Sequence, residues 1–203
     1  GLTGLTPGSK TYYKILTSLK TTKDFATSGP LDLPTSITFA NFARAFTEAG
    51  MATAFINTTI ILLVSVTGTI AIGTMAAYAI DRFEFRFKKV IVSLFLLAAL
   101  VPAVTTQVAT FQVVNTLGLY NTRLAPIALF MGTDIVSIYI FVQFMRSIPI
   151  SLDEAATLDG ANHFTIFRRI IFPLLKPAIA TVVIIKGIAI YNEFYIPFLY
   201  MPS

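Results

Sequence analysis

The chain has 203 residues, of which 55% are hydrophobic and 12% are charged, and its formal net charge is +5. In soluble domains about a quarter of the residues are charged, so this composition excludes an ordinary soluble domain and indicates a protein of the lipid bilayer. The basic residues lie in short clusters beside apolar stretches, which is typical of topology signals and not of nucleic-acid binding. Cysteine is absent and His163 is the sole histidine, which excludes disulfides, Cys/His zinc sites and Cys/His nucleophile pairs.

Residues 1–52 are predicted to form an N-terminal remnant followed by an extracytoplasmic segment. The stretch 11–19 is too short to cross the membrane, because about 20 residues are needed to span about 30 Å of hydrocarbon. A short amphipathic helix is predicted between Phe39 and Phe46, where aromatic residues recur at helical spacing. We expect this helix to lie on the outer membrane surface, with contact to an external partner as the alternative.

Four apolar stretches follow within a membrane domain predicted over 53–203. We name them spans A to D, with predicted bounds of about 53–80, 90–114, 124–145 and 174–199. At about 1.5 Å per residue span A would form a helix of about 42 Å, which is enough to cross the hydrocarbon layer. Pro102 predicts a kink in span B, because proline lacks the amide hydrogen and its ring clashes with the preceding turn.

Basic residues are concentrated in two of the loops between these spans. They are Arg82, Arg86, Lys88 and Lys89 between spans A and B, and Arg146, Arg168, Arg169 and Lys176 between spans C and D. Cytoplasmic loops are enriched in lysine and arginine. Both loops are therefore predicted to face the cytoplasm, and the loop between spans B and C is predicted to face outward.

The loop between spans C and D, at 148–173, contains the most specific pattern in the chain, and we call it the coupling loop. It has Glu-Ala-Ala at 154–156, three residues, Gly160, nine residues, and Ile-Ile-Phe-Pro at 170–173. Ser151 to Glu154 has the form of a capping box, which predicts a helix starting at Leu152. The Glu154 carboxylate then has two possible roles, at its own helix start or against a partner protein.

Small side chains in this loop predict a docking surface. Ala155 and Ala156 expose almost no side chain, so a facing surface could approach that side of the helix closely. Leu152 and Leu158 are available as apolar anchors in a groove. The pattern therefore favours insertion of this helix into a cleft of another protein.

The rest of the coupling loop predicts a helix, a turn and a second helix. Gly160 permits a positive φ, which allows the chain to turn sharply at the end of the first helix. Asn162 is predicted to cap the second helix, and Pro173 is predicted to end it. Together these residues predict a compact element that projects into the cytoplasm.

This pattern resembles the cytoplasmic loop of permease subunits in binding-protein-dependent ABC importers, with Phe172 in place of the family's leucine. The resemblance implies an all-α polytopic membrane protein with the type I ABC importer permease fold, in which a coupling helix sits in a groove on the ATPase. It implies that Glu154, Ala155, Ala156 and Gly160 dock on the ATPase. Leu158 joins these candidates for ATPase docking as the apolar anchor described above. Relative to that family, the first and last membrane spans are expected to be missing from this sequence.

The resemblance also implies the partners and the location. They are a second permease subunit, two ATPase subunits, an extracytoplasmic solute-binding protein and the lipid bilayer, in the cytoplasmic (inner) membrane of a prokaryote. A GxxxxGK[ST] phosphate loop is absent from the sequence. ATP and magnesium are therefore expected on the ATPase subunits, and we expect no cofactor, metal or catalytic residue in this chain. Segments such as YNEFYIPFLY at 191–200 resemble the carbohydrate branch of the family, the maltose-type component.

Charged and polar residues in span D predict a substrate path. Lys186 lies ten residues past Lys176, or about 15 Å, too deep to reach water easily, so its charge needs a partner or a cavity. Glu193 follows seven residues later near the same helix face, with Asn192 beside it. These side chains are predicted to share one polar stripe whose donors and acceptors suit sugar hydroxyls.

Two further residues are candidates for the path. Asp134 in span C is expected to face the bundle interior or to lie near the outer headgroups. Tyr191 begins a set of aromatic residues that could stack on sugars or form an interfacial belt.

Four functions remain open from the sequence. The first is a sugar-importing ABC permease subunit, and the second is an ABC permease for a different solute. The third is an ion-coupled transporter in which Asp134, Lys186 and Glu193 form a relay. The fourth is a membrane scaffold that does not transport.

Overall fold

The computed structural model describes residues 10–29, 32–47, 50–101, 103–132 and 134–201, and within these ranges its regular structure is all helical, as predicted. The helices are α1 (Lys10–Leu19), α2 (Thr22–Thr27), α3 (Ala40–Thr47), α4 (Met51–Arg82), α5 (Lys88–Leu100), α6 (Ala103–Thr116), α7 (Leu124–Gly132), α8 (Ile135–Arg146), α9 (Ser151–Leu158), α10 (His163–Ile166), α11 (Phe172–Leu174), α12 (Lys176–Asn192) and α13 (Tyr195–Tyr200), with a π-helical turn at Phe167–Ile171 between α10 and α11. Two compact units meet inside α4, between Asn57 and Thr58.

The first unit is held together by polar contacts between α1, α2 and α3. The Asn41 amide donates to the carbonyls of Ser18 at 3.0 Å and Lys20 at 2.8 Å. The Lys20 side chain is buried and donates to Ser28 Oγ and to the Gly29 carbonyl, both at 2.8 Å. Buried polar groups are stable only when they are paired in this way.

The short helix expected between Phe39 and Phe46 is α3, and it has no buried residue. Phe39, Phe42 and Phe46 expose 70%, 46% and 55% of their surface. These rings remain available for another surface, and their placement on the membrane stays a prediction.

Asp24 fixes the loop that precedes α3. Its carboxylate accepts hydrogen bonds from the hydroxyl of Thr35 at 2.8 Å and from the Thr35 amide at 2.9 Å. The Thr35 hydroxyl is the largest influence holding the pKa of Asp24 below its ordinary value, and the Thr35 amide is the next. The carboxylate therefore stabilises this loop in its charged form.

Replacing Thr35 with valine is expected to make the loop open at higher pH. The folded pKa of Asp24 is lowered, so its stabilisation is present above the unfolded pKa and is lost as pH falls through the folded pKa. Without the hydroxyl, the folded pKa of Asp24 moves up toward its unfolded value, so the stabilisation is lost at a higher pH. Hydrogen exchange of the residue-35 amide across pH 2–6 measures this, with Thr22→Val on exposed α2 surface as the control. Equal pH profiles for the parent and Thr35→Val would contradict it.

Helix α4 confirms span A. It runs without interruption for 32 residues, or about 48 Å at 1.5 Å per residue. Its buried face has a small residue at every fourth position: Ser65, Thr69, Gly73 and Ala77. A Cβ atom on Gly73 would lie 2.9 Å from the ring of Phe141 in α8, so this glycine allows the two helices to approach closely.

Spans B and C are each divided into two helices. Helices α5 and α6 are separated by Val101 and Pro102; the kink predicted at Pro102 lies outside the described residues. Helices α7 and α8 are separated by 133–134, and the Asp134 carboxylate accepts the amide of Ser137 at 3.2 Å to begin α8. Asp134 therefore acts as an N-cap, which explains a carboxylate in this apolar stretch.

Span D, predicted over about 174–199, is not one continuous helix, because α12 stops before Glu193. Pro197 provides the physical reason: it has no amide hydrogen for the Glu193 carbonyl four residues earlier, and its ring clashes there. Glu193 is extended, with φ −78° and ψ 115°. Its carboxylate accepts the amides of Tyr195 at 3.0 Å and Ile196 at 3.3 Å, and the chain re-enters a helix as α13.

Among the described helices, α4 is by itself long and apolar enough to cross a membrane. The pair α7 and α8, and the pair formed by His163–Leu174 and α12, reach that length when each bent pair counts as one span. The total of four spans stays a prediction.

Candidate functional site

The first helix of the coupling loop is α9, and it begins differently from the capping box predicted for it. Ile150 already has helical torsions, with φ −63° and ψ −27°, and the Glu154 amide bonds to the Ile150 carbonyl at 3.1 Å. A capping side chain requires an extended backbone at its own position, so Ser151 lies inside the helix and does not cap it. The exposed Glu154 carboxylate forms no hydrogen bond or ion pair within the described part of the chain. It is therefore available to another protein.

The single face of small residues predicted for α9 is also corrected. Consecutive helical residues point about 100° apart, and Ala155 is exposed while Ala156 is buried. Ala156 packs in a hydrophobic cluster with Tyr78 and Ile166. Its methyl group lets α9 lie close to its own chain, whereas Ala155 faces outward. Leu158 is 89% exposed and is the most prominent apolar side chain of this helix.

Gly160 ends α9 as predicted, with φ +82°. The Ala161 amide bonds to the Ala156 carbonyl at 2.9 Å, and the Gly160 amide bonds to the Thr157 carbonyl at 3.0 Å. These two bonds form a Schellman motif, which requires a left-handed residue at this position. The sharp turn after α9 is therefore encoded by Gly160.

The second helix of the coupling loop begins as predicted and ends differently. The Asn162 side chain accepts the Thr165 amide at 2.8 Å, which confirms it as the cap of α10. Pro173 does not end the helix. The preceding turn is π-helical, and this leaves the proline in the first turn of α11, where its missing amide breaks no bond. The axis bends by 68° between Leu174 and Lys176.

A charged cluster ties α9 to the end of α4, and we call it the Arg82 cluster. Arg82 Nε lies 3.1 Å from the Asp153 carboxylate. The other two guanidinium nitrogens donate hydrogen bonds, to the Ile148 carbonyl at 2.8 Å and to the Asp81 carboxylate at 2.7 Å. The Tyr78 hydroxyl lies 3.4 Å from the second oxygen of Asp153. The sequence indicated Arg82 only as a topology signal, because no local pattern joins residues so far apart in the chain.

A second site is a cleft of about 280 Å³ between α6, α7, α12 and α13. Its lining residues are Thr106, Gln107, Thr110, Leu129, Phe130, Lys186, Glu193, Tyr195, Ile196 and Tyr200. The Tyr195 hydroxyl donates to Gln107 at 3.1 Å, which links α13 to α6 across the cleft. Apolar walls with a few polar groups are typical of a site for a small molecule.

The structure brings together three of the five residues predicted for the substrate path. Lys186 and Glu193 both line the cleft, although they lie on different elements and not on one helical stripe. The Asp134 carboxylate pairs with Lys186 at 2.9 Å, and these side chains are 11% and 15% exposed. Tyr191 and Asn192 are exposed and are not among the lining residues.

Sequence reasoning missed the polar wall contributed by α6. Thr106, Gln107 and Thr110 lie at helical spacing in the segment TTQVAT of span B. Uncharged polar residues in an otherwise apolar span were the available signal. The aromatic residues of 191–200 fall into two groups. Tyr195 and Tyr200 line the cleft, whereas Phe194 and Phe198 stack on each other, with ring centroids 5.2 Å apart.

Residues 69–201 match the family described as "Binding-protein-dependent transport system inner membrane component". The melibiose/raffinose/stachyose import permease protein MelC of Bacillus subtilis is 36% identical over 187 residues, which cover 90% of this chain and 66% of that protein. The diacetylchitobiose uptake system permease protein NgcG of Streptomyces coelicolor is 29% identical over 184 residues, covering 90% of this chain and 61% of that one. This chain thus spans less than two thirds of their length.

The fold has a counterpart among solved structures. A chain from a bacterial ABC transporter involved in the import of the acidic polysaccharide alginate superposes with a TM-score of 0.83 at 23% identity, over all of this chain and 70% of that one. The predicted all-α architecture is thereby confirmed, and a chain of an ABC importer shares it. Taken with the match over residues 69–201, this chain belongs to the family of binding-protein-dependent transport system inner membrane components.

Proposed function

We propose that this chain is the membrane-spanning permease subunit of an ATP-driven ABC importer, and that it translocates a sugar or oligosaccharide delivered by an extracytoplasmic binding protein. The observation that carries this proposal is the coupling loop, a pair of short helices with an unpaired carboxylate at Glu154 and an exposed leucine at Leu158. A transporter without an ATPase would not need such a surface.

The complete importer contains a second permease subunit, two ATPase subunits that bind ATP and magnesium, and the binding protein. It lies in the inner membrane of a prokaryote, and this chain crosses that membrane several times. Closure of the ATPase subunits moves the coupling loop, and the spans then alternate between outward and inward access.

The docking residues have two kinds of role in this proposal. Glu154, Ala155 and Leu158 contact the ATPase directly, because their side chains are exposed on α9. Ala156 and Gly160 act through shape: Ala156 seats α9 against the chain and Gly160 sets the turn after it.

The cleft supports a sugar as the translocated solute. Gln107, Tyr195 and the two threonines of α6 offer donors and acceptors, and the apolar walls suit sugar faces. The positive charge of Lys186 is neutralised by Asp134, while Glu193 adds a negative charge. The cleft therefore favours a neutral sugar over an acidic one.

An ion-coupled transporter is less well supported. An ion relay needs a carboxylate that can exchange its partner, but Asp134 is held by Lys186 and by the amide and hydroxyl of Ser137. Such a transporter also leaves the exposed coupling loop without a role.

The test is solute uptake into membrane vesicles that contain the complete transporter and its binding protein. Uptake of a neutral oligosaccharide is expected to require ATP on the cytoplasmic side and to persist when ion gradients are collapsed. Undiminished uptake driven by an ion gradient alone would overturn the proposal. In the same vesicles, a uronate oligosaccharide of equal length is expected to be taken up more slowly, because the cleft is net negative.

A further inference from the structure

The Arg82 cluster joins the start of α9 to the end of α4 and lies apart from the residues assigned to docking. The side chains of Arg82 and Asp153 are only 6% and 14% exposed, with 3.1 Å between Nε and Oδ2. The same guanidinium donates to the Ile148 carbonyl at 2.8 Å. Its hydrogen bonds to Asp81 and Ile148 fix the orientation of the planar guanidinium, and the Asp153 carboxylate lies beside its charge. The contact with Asp153 is an ion pair and not an aligned hydrogen bond, since neither Nε nor Oδ2 has a hydrogen-bond partner among the described residues. Helix α9 therefore cannot rotate far against α4 without separating this ion pair or breaking the hydrogen bond to Ile148.

Packing supports the charged contact on the same side. Tyr78 lies one turn before Arg82 and contacts both Asp153 and the core cluster that contains Ala156. Four residues earlier, Thr74 is fully buried, and its neighbour Gly73 touches α8. Displacement of α9 would therefore act on α4, which is continuous and closely packed over the turns that precede Arg82.

The covalent route from α9 to the cleft is less direct. It passes through the left-handed turn at Gly160, the π-helical turn and the 68° bend before α12. Irregular backbone of this kind can absorb movement, as hinges do. The contact between Arg82 and Asp153 bypasses all three irregular elements.

We propose that the pair Arg82 and Asp153 is the positioning joint that transmits movement of the ATPase-bound α9 to α4. The inference rests on the proposed docking function of the coupling loop. The pair sets how much solute is moved for each ATP hydrolysed, whereas docking itself depends on the exposed face of α9. Both residues act through α4 and touch neither solute nor nucleotide.

The test uses the complete transporter reconstituted in proteoliposomes. Asp153→Asn keeps the side-chain size and removes the charge, and Arg82→Lys keeps the charge and removes the fork that holds both Asp153 and Ile148. Each variant is expected to copurify with the ATPase subunits and to hydrolyse ATP, while uptake per ATP falls about tenfold. Asp153→Glu is expected to recover part of the ratio, because it retains the carboxylate.

Asp159→Asn is the matched control, since this aspartate follows the same helix, is exposed and forms no ion pair with the described residues. It should keep the parental uptake per ATP. Parental ratios in both Asp153→Asn and Arg82→Lys would overturn the joint, and so would loss of the ATPase subunits from the Arg82→Lys complex. If the parent itself shows no ATP-dependent uptake, the proposed function fails; parental uptake with unchanged variants rejects only the joint.

Discussion

Replacing Lys186 with methionine is expected to destabilise the protein strongly and to abolish most uptake. Its ammonium group lies 2.9 Å from Asp134, and both side chains are largely buried. Removing one partner of a buried ion pair leaves an uncompensated charge, which costs about 3–5 kcal/mol. The effect is a loss of folded transporter, measured as the yield of monodisperse complex and as its thermal unfolding temperature in detergent.

The double variant Lys186→Met with Asp134→Asn separates a lost pair from a lost lysine. An asparagine at position 134 has no charge and still accepts the Ser137 amide, so α8 keeps its cap. Stability is expected to return most of the way in the double variant. Lys176→Met, an exposed lysine at the start of α12, is the control and should leave the unfolding temperature unchanged. A double variant as unstable as Lys186→Met alone would show that the pair is not the cause.

Replacing Gly160 with valine is expected to uncouple the transporter while the chain still inserts in the membrane. The glycine has φ +82°, a region that costs other residues roughly 1–2 kcal/mol, and more for a β-branched side chain. A Cβ atom added at this position would meet no atom of the described residues within 4 Å, so backbone strain and not a clash is the cause. The Schellman bonds are expected to break, which shifts α9 relative to the ATPase that we propose it binds.

The measurement is copurification of the ATPase subunits together with ATP-dependent uptake. Asparagine at 160 is expected to be tolerated best, alanine less well and valine least, because asparagine adopts left-handed torsions more readily. Gly187→Ala in the middle of α12, also with open space around it, is the control and should behave as the parent. Full transport by Gly160→Val would refute a coupling role for this turn.

The parts of the fold that follow local rules were predictable from the sequence. The length of α4 follows from its long apolar stretch. The cap at Asn162 and the positive φ at Gly160 each depend on residues within a few positions of one another. Burial of Lys186 also followed from its depth in an apolar stretch. Its partner was not predictable, because pairing with Asp134 depends on how two distant helices pack.

Other features needed the three-dimensional structure for physical reasons. Span D looked continuous because its composition is uniformly apolar, and the break at Glu193 appears only when the hydrogen-bond geometry of Pro197 is considered. The sequence could not show which face of α9 is buried, because either Ala155 or Ala156 could have faced outward. The contact of Ala156 with the cluster that contains Tyr78 identifies the buried face. The contact between Arg82 and Asp153 joins two loops that sequence patterns treat separately.

The interruption between α12 and α13 leaves a main-chain acceptor that does not depend on side-chain identity. Because Pro197 withholds an amide, the main-chain oxygen of Glu193 remains without its usual helical donor at a residue that lines the cleft. A hydrogen bond to that oxygen would depend neither on the side chain at position 193 nor on pH. This main-chain acceptor is kept under any substitution at position 193, provided that Pro197 is kept.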